Sequence, residues 1–218
     1  DLSAIEKIKL RLGDNRAFDS EYLLKINQDH DQVIKREWLR RYTKLPEEDP
    51  GLVPEKLEPY FIATGVDLAI SQRESADYTA MVTAVIYRVI EEPYDLGDDF
   101  YAFILPIITN DRLTVEGIIG RAKFTEDYAA RFVKWQRSSH RFFVEEAGQQ
   151  RAIIEPMERS GLYVYGVPTE GMDKRSRLML SAQQMERGRI FFPTEGAESL
   201  EQQLLGFGSD RYDDLMDA

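Results

Sequence analysis

An acidic residue inside an apolar, β-branched run constrains this chain more than any other feature of its sequence. The run covers residues 61–70, and a second apolar run covers residues 78–90, with turn-forming residues between them. This pattern predicts two buried, neighbouring strands of one sheet, joined as a hairpin. Asp67 falls in the middle of the first predicted strand. Because an unpaired carboxylate is costly to bury, we expect a cation beside it, a metal ion rather than the alternative of a buried Arg or Lys.

The composition excludes several kinds of site. The 218 residues include no cysteine, which rules out disulfides, zinc–thiolate centres and cysteine nucleophiles. Only two histidines are present, His30 and His140, so a multi-histidine metal centre is not expected. No run approaches the length of a membrane span and none resembles a signal peptide, which predicts a soluble, intracellular protein. The chain begins without methionine and ends inside a helical pattern, so we expect a piece of a longer protein.

The charge is negative overall but unevenly distributed. A net charge of −11 argues against passive binding of a polyanion. Residues 171–189, however, are locally basic, whereas the chain from residue 195 onward is acidic. A metal-dependent nuclease shows this asymmetry, with acids to hold cations and a basic rim for the phosphate backbone. Two oppositely charged, solvated faces are the simpler alternative.

The rest of the chain alternates predicted strands and helices. Further strands are predicted at residues 100–108, 140–144, 162–167 and 189–192, and helices at residues 114–135, 149–159, 176–186, 199–205 and from 212 onward. The order βββαβαβα indicates a mixed α/β fold, with a central sheet and helices on both faces. It is also the chain order of the RNase H-like nucleases, one of several folds that fit.

Smaller signals refine this picture. Residues 33–42 predict a strand followed by a short amphipathic segment, and the Pro-, Glu- and Lys-rich residues 43–59 predict a linker. We therefore place a linker at residues 1–58 and a domain at residues 59–218. Pro106 indicates an edge strand or a bulge. Tyr163, Tyr165 and the two Phe–Phe pairs are expected in the core.

Acidic residues recur at three places where a sheet can gather them. They are Asp67 in the first strand, Glu145 and Glu146 after the strand at residues 140–144, and Asp213, Asp214 and Asp217 at the start of the terminal helix. Two-metal phosphoryl transfer requires oxygen ligands of this kind from separate elements. Each cluster also has a structural explanation. For Asp67 it is a buried Arg or Lys, and for the other two clusters it is a position at a helix start, where the dipole favours acids.

At these positions the sequence resembles the nuclease domain of the bacteriophage large terminase subunit, a DNA-packaging motor protein. The resemblance rests on three motifs in order, at residues 65–80, 143–150 and 212–218, with similar segments at residues 35–42, 173–177 and 186–193. It covers nearly the whole chain from about residue 20. The resemblance implies an RNase H-like endonuclease that cuts concatemeric double-stranded DNA with little sequence specificity, using two Mg²⁺ or Mn²⁺ ions.

The resemblance also implies roles for individual acids. Carried over by position, Asp67 is the shared metal ligand and Glu145 the acid of the second motif, with Glu146 as the alternative if Glu145 faces the wrong side of its strand. In the third motif Asp214 and Asp217 are the preferred catalytic ligands, with Asp213 behind them. Asp77 matches a family position too, but it is more simply a residue of the hairpin turn.

Partners follow from the same resemblance. Lys174, Arg175 and Arg177 are candidates for contacts with DNA phosphates, against the alternative of a solvated basic turn. The full motor would add a portal protein, a small terminase subunit and an ATPase domain, and would work in the host cell cytoplasm. No GxxxxGK[ST] loop occurs in this chain, so the ATPase domain is expected to precede residue 1, with residues 1–58 as its tail.

Two other functions remain open from the sequence. One is a non-catalytic module of the packaging motor that clamps DNA or docks to the portal. The other is a different RNase H-like enzyme, such as a Holliday-junction resolvase, although the terminase-like segment at residues 35–59 argues against it.

Overall fold

One mixed sheet of seven strands organises the computed structural model. The structure describes residues 33–68, 78–90, 99–133, 139–145, 151–168, 171, 173–207 and 214–218, all within one compact unit, Val33–Ala218. The strands are β1 (Arg40–Tyr42), β2 (Leu57–Asp67), β3 (Thr79–Val89), β4 (Phe100–Asp111), β5 (His140–Glu145), β6 (Val164–Val167) and β7 (Ile190–Pro193). Their order across the sheet is β1-β7-β4-β3-β2-β5-β6.

Helices fill the connections between the later strands. They are α1 (Val115–Phe132), α2 (Arg151–Arg159), α3 (Lys174–Glu186), α4 (Glu198–Leu205) and α5 (Asp214–Asp217), preceded by a 3₁₀ turn at Arg36–Trp38. Strands β2, β3 and β4 form an antiparallel meander, and β5, β6 and β7 join it in parallel. The predicted strand–helix order and the β2–β3 pairing are therefore confirmed, although residues 69–77 of the predicted turn lie outside the description.

Alternation along the second half of β2, from Phe61 onward, separates the two faces of the sheet. Val66 and Leu68 point to one face and pack with α1 and α2 through Ile118, Ala122, Ile153 and Met157. Gly65 and Asp67 point to the other face, together with their register partners Val82 and Ala80 of β3. On that face Ala80 and Val82 pack with α3, α4 and α5 through Leu178, Ala182, Leu200, Leu204 and Leu215. We call these the opposite face and the acid-bearing face. Helices cover both, as predicted.

The part of the chain before β2 packs with the sheet. β1 pairs in parallel with β7, and Leu45 and Val53 are buried in a core cluster with residues of β3 and β4. Glu47 and Glu55 accept hydrogen bonds from the hydroxyls of Tyr87 (2.6 Å) and Tyr101 (2.7 Å). Residues 33–58 thus belong to the same compact unit as the sheet, while the boundary at residue 58 and the assignment of residues 1–58 to an ATPase tail stay predictions.

Three local predictions need correction. Asp67 is the last residue of β2 and not a mid-strand residue, and at residues 33–42 the helical turn precedes the strand. Tyr163 and Tyr165 are 50% and 47% exposed, so the expectation that they belong to the core is wrong. They lie beside and in β6, at the edge of the sheet, where their side chains have neighbours on one side only.

The prediction for Pro106 is confirmed. The register between β3 and β4 shifts between Val82 and Ala84, which is a bulge at the level of Pro106. The Phe pairs were expected in the core, and Phe142, Phe191 and Phe192 are buried there, whereas Phe143 is only partly covered. Within the described residues no helix is long and apolar enough to cross a membrane.

Candidate active site

Two of the predicted acids lie side by side at the end of the sheet. Val66 of β2 is the register partner of Val144 of β5, so Asp67 and Glu145 occupy the next position of the same parallel pair. Register partners place their side chains on the same face, about 4.8 Å apart at the backbone. Both residues are partly exposed and both belong to the acid-bearing face. These acids are 78 positions apart in the sequence, about half the length of the predicted domain, and the sheet brings them together.

The third acidic cluster reaches the same place through the short helix α5. Leu215 is buried among residues of α3 and α4, and its backbone N–H donates to Gln203 Oε1 at 2.9 Å. The carbonyl oxygen of Ala218 lies so close to Gly65 that a Cβ built at residue 65 would stand 1.4 Å from it. Gly65 precedes Asp67 by two residues and shares its face. This contact therefore places the end of α5 against β2, two residues before Asp67.

Helix α3 brings cations to the rim of this site. Asp173 caps the helix, accepting hydrogen bonds from Ser176 N (3.0 Å) and Ser176 Oγ (2.8 Å). These hydrogen bonds lower the pKa of Asp173, which stays ionised at the positive end of the helix dipole. Lys174 and Arg177, one turn apart, then line a cleft of about 270 Å³ whose other walls are Leu178, Ser181, Met216 and Ala218.

An ion pair connects the basic rim to the acids. Arg177 Nη1 lies 3.8 Å from Glu145 Oε1, with both side chains partly exposed. The pair crosses from α3 to the end of β5, and sequence reasoning did not predict it. Arg175, the third predicted phosphate contact, is exposed and does not belong to the lining of the cleft.

His140 is buried on the other side of the sheet. It is 1% exposed, and its Nε2 lies 2.7 Å from Thr64 Oγ1, which in turn lies 2.8 Å from Thr83 Oγ1. Burial lowers the pKa of His140 to about 4, so its ring is neutral at pH 7. Because His140 pairs with Ile62 in the register, it faces away from Asp67. It belongs to the core and not to the acidic site.

Several predicted site residues cannot be placed. Asp77, Glu146 and Asp213 lie outside the described residues, as does the side chain of Asp217. Among the residues that are described, no three His, Asp or Glu side chains form a group able to hold a metal ion. Asp67 and Glu145, the two acids that the register brings together, offer only carboxylate oxygens. Such a donor set fits a hard divalent cation such as Mg²⁺ or Mn²⁺.

A missed signal was present in the sequence. Gly65 interrupts an otherwise β-branched strand, and an isolated glycine inside a strand marks a bulge or a close approach of another backbone. Here the approaching backbone is that of Ala218. The three cations that the sequence analysis named as phosphate contacts prove to lie in the first turn of α3, where the helix dipole disfavours positive charge. That arrangement indicates an anion-binding end.

Comparison with known proteins supports the fold. No protein-family model and no curated relative matches the sequence. The structure, however, is similar to the crystal structure of the large terminase nuclease from thermophilic phage G20c, with a TM-score of 0.51, 13% identity, and coverage of 86% of this chain and 95% of that chain. Structures of the same protein with bound magnesium and with bound cobalt match with TM-scores of 0.52 and 0.51, each covering 88% of this chain and 94% of that one, again at 13% identity.

These matches establish the fold. The chain has the RNase H-like architecture of the phage terminase nuclease domain over most of its length, as the sequence predicted. At 13% identity the likeness does not extend by itself to catalysis, ligands or partners.

Proposed function

We propose that this chain is the nuclease module of a viral DNA-packaging terminase and cleaves concatemeric double-stranded DNA with little sequence specificity. The observation that carries the proposal is the convergence of Asp67, Glu145 and α5 at one end of the sheet, beside a cleft lined by Lys174 and Arg177. Acidic and basic side chains lie near one another here, and phosphodiester hydrolysis by a metal-dependent nuclease uses both kinds. The structural neighbours with bound magnesium and cobalt add weight to a divalent-metal dependence.

The residues divide the work by their chemistry. Asp67 and Glu145, with Asp214 and Asp217 and with Asp213 as a further candidate, would hold two Mg²⁺ or Mn²⁺ ions. When bound, the ions supply charge neutralisation and a nucleophilic water at neutral pH. Lys174 and Arg177 bind backbone phosphates, and Arg175 extends the basic rim outward. Phosphate contacts carry little base information, so cleavage is largely independent of sequence.

Arg177 has a second role in this proposal. In the protein without metal its guanidinium lies near Glu145 and offsets part of the negative charge of the acids. A bound phosphate offers the guanidinium a stronger, bidentate partner. Arg177 therefore releases Glu145 as DNA enters the cleft.

The wider assignment is part of the same proposal. The substrate is duplex DNA, and the partners are an ATPase domain, a portal protein and a small terminase subunit, acting in the host cell cytoplasm. A module that only clamps DNA or docks to the portal is the competing function, and it predicts binding without cleavage.

The test is cleavage of supercoiled plasmid with Mn²⁺, Mg²⁺ or EDTA, comparing the wild type with Asp67→Ala and Asp67→Asn. Glu155→Gln serves as the matched control, because Glu155 pairs with Arg159 on α2, on the opposite face. Metal-dependent cutting that both Asp67 variants lose and Glu155→Gln retains is the expected result. Cutting that survives in Asp67→Asn would remove Asp67 from the site, and plasmid binding without cutting in all proteins would favour the clamp.

A further inference from the structure

A strip of aromatic side chains runs across the acid-bearing face beyond the acids. The strip consists of Tyr60 and Phe61 of β2, Phe143 of β5 and Tyr165 of β6. Ring centroids are 5.1 Å apart for Tyr60 and Phe61, 6.3 Å for Phe61 and Phe143, and 5.6 Å for Phe143 and Tyr165. Tyr60 and Tyr165 are 45% and 47% exposed, and the ring of Phe100 of β4 stacks on Tyr60 with centroids 5.7 Å apart. Four rings from three strands thus form one connected, solvent-facing surface.

A bulge in β2 builds one end of this aromatic strip. The register with β3 shifts between Pro59 and Phe61, so Tyr60 has no partner residue in that pairing. The ordinary alternation of a strand sends consecutive side chains to opposite faces. At this bulge Tyr60 and Phe61 contact each other edge to face on the same side. Without the bulge, only one of these two rings would face the acid-bearing side. Because of the bulge, both do.

An arginine stands among the rings. The guanidinium carbon of Arg141 lies 4.5 Å from the ring centroid of Phe61 and 6.0 Å from that of Tyr165. Among the described residues Arg141 has no carboxylate partner in an ion pair. A cation fixed over aromatic faces, with its charge not neutralised by a described acid, suits a ligand that combines flat rings with negative charge.

The aromatic strip leads directly to the candidate active site. Phe143 precedes Glu145 by two residues on the same face of β5, a distance of about 7 Å along the strand. Tyr165 precedes Val167 by two residues, and Val167 is the register partner of Glu145. A polymer lying on the strip would therefore reach the acids within one or two of its repeats.

We propose that the aromatic strip binds unpaired nucleotides of a DNA strand whose backbone passes the acids, which rests on the proposed nuclease function. Stacking needs exposed base faces, and these are available in a single strand but hidden in a duplex. Aromatic rings on a sheet with an interleaved arginine match this ligand. Aromatic and arginine side chains also occur at protein interfaces, so it is the continuity of the strip with the acids that favours DNA over a protein partner. The module therefore engages DNA that is locally unpaired, or the strand end that a first nick releases.

The test measures binding separately from cleavage. A labelled oligothymidine of about 16 nucleotides and a duplex of equal length are titrated in EDTA, with fluorescence anisotropy as the readout. The variants are the double Tyr60→Ala/Tyr165→Ala, Arg141→Gln and the conservative Tyr165→Phe. Phe124→Ala is the matched control, since Phe124 is 50% exposed on α1, on the opposite face. Metal-dependent plasmid nicking is measured on the same proteins.

We expect the single strand to bind more tightly than the duplex, and the double variant to lose roughly 10- to 100-fold in affinity for it. Tyr165→Phe and Phe124→Ala should bind like the wild type. Equal affinity for the two probes, or an unchanged double variant, would overturn the proposal. An altered oligomeric state of the double variant, with unchanged DNA binding, would instead assign the strip to a protein contact and overturn it as well.

The two proposals fail in different ways. If metal-dependent nicking persists and the binding of oligothymidine does not depend on the rings, the aromatic-strip proposal is wrong and the nuclease proposal stands. If the binding of oligothymidine depends on the rings but the protein does not nick plasmid, the nuclease proposal is wrong and the aromatic strip is a single-strand binding surface.

Discussion

Residue 65 has space for a hydrogen atom but not for a methyl group. A Cβ there would stand 1.4 Å from the Ala218 carbonyl oxygen and 2.6 Å from its carbon, both backbone atoms that cannot rotate away. We expect Gly65→Ala to displace α5 and its acids. The free energy of unfolding should fall by about 1–3 kcal/mol, measured by urea denaturation. Metal-dependent nicking should fall by about 100-fold, because the acids of α5 leave their positions.

Gly120→Ala is the matched control for this prediction. Gly120 is exposed on α1, and a Cβ built there meets nothing within 4 Å. Alanine inside a helix should stabilise the protein by about 0.5–1 kcal/mol and leave nicking unchanged. A Gly65→Ala protein as stable and active as the wild type would refute the close approach of residue 218.

His140 makes the stability of the protein depend on pH. Burial lowers its pKa from 6.5 to about 4. The unfolded chain therefore binds a proton between these values that the folded chain does not, so the stability present above pH 6.5 is lost as the pH falls towards 4. The loss approaches roughly 3 kcal/mol at the acid end. The free energy of unfolding is measured by urea denaturation at about pH 5 and about pH 7. We expect its difference between the two pH values to be smaller by roughly 2 kcal/mol in His140→Gln than in the wild type. Equal pH dependence of stability in the wild type and His140→Gln would contradict a lowered pKa of His140 in the folded protein.

At the scale of elements, the sequence predicted the long strands because each has its own apolar pattern. β2, β3 and β4 are read from continuous β-branched and aromatic runs, and all were predicted within a few residues. A strand was predicted at the start of residues 33–42, but β1 lies at their end, where its three residues are mostly polar. It is a strand because β7, from the far end of the chain, offers it a parallel partner. Local pattern carries no information about such a pairing.

Helix α3 supports a prediction about the electrostatics of DNA binding. Lys174 and Arg177 line the cleft, whereas Arg175 is exposed outside its lining. Lys174→Gln and Arg177→Gln should each weaken duplex binding and reduce the slope of log K against log salt by about 0.9, because one phosphate contact is lost. Arg175→Gln should change the slope less. Binding isotherms at several salt concentrations are the measurement.

The control for this series is Lys123→Gln, on the exposed side of α1. It removes the same charge from the opposite face and should leave the slope unchanged. Equal losses for Lys123→Gln and Lys174→Gln would mean that the net charge, and not the basic rim, governs binding.

At the scale of the whole molecule, the sequence named candidate acids but did not predict how two of them meet. Asp67 was identified because a carboxylate in an apolar run demands a cation, and Glu145 because it follows a strand. Their adjacency needs the parallel pairing of β2 with β5, which is a long-range property. The same holds for the ion pair between Arg177 and Glu145 and for the aromatic strip, whose rings come from three strands.

Gathering these acids in one place should cost stability when no metal is bound, in a chain that already carries a net charge of −11. Asp67→Asn removes one of the mutually repelling charges, so we expect it to raise the melting temperature in EDTA. Mn²⁺ at about 100 times its Kd stabilises the wild type by about 2.7 kcal/mol, which raises the melting temperature by about 5–10 °C. Asp67→Asn should lose that metal-dependent shift, and Glu155→Gln should keep it. If Mn²⁺ stabilised all three proteins alike, the ion would be binding elsewhere, and the acids at the end of the sheet would be a structural cluster rather than a metal centre.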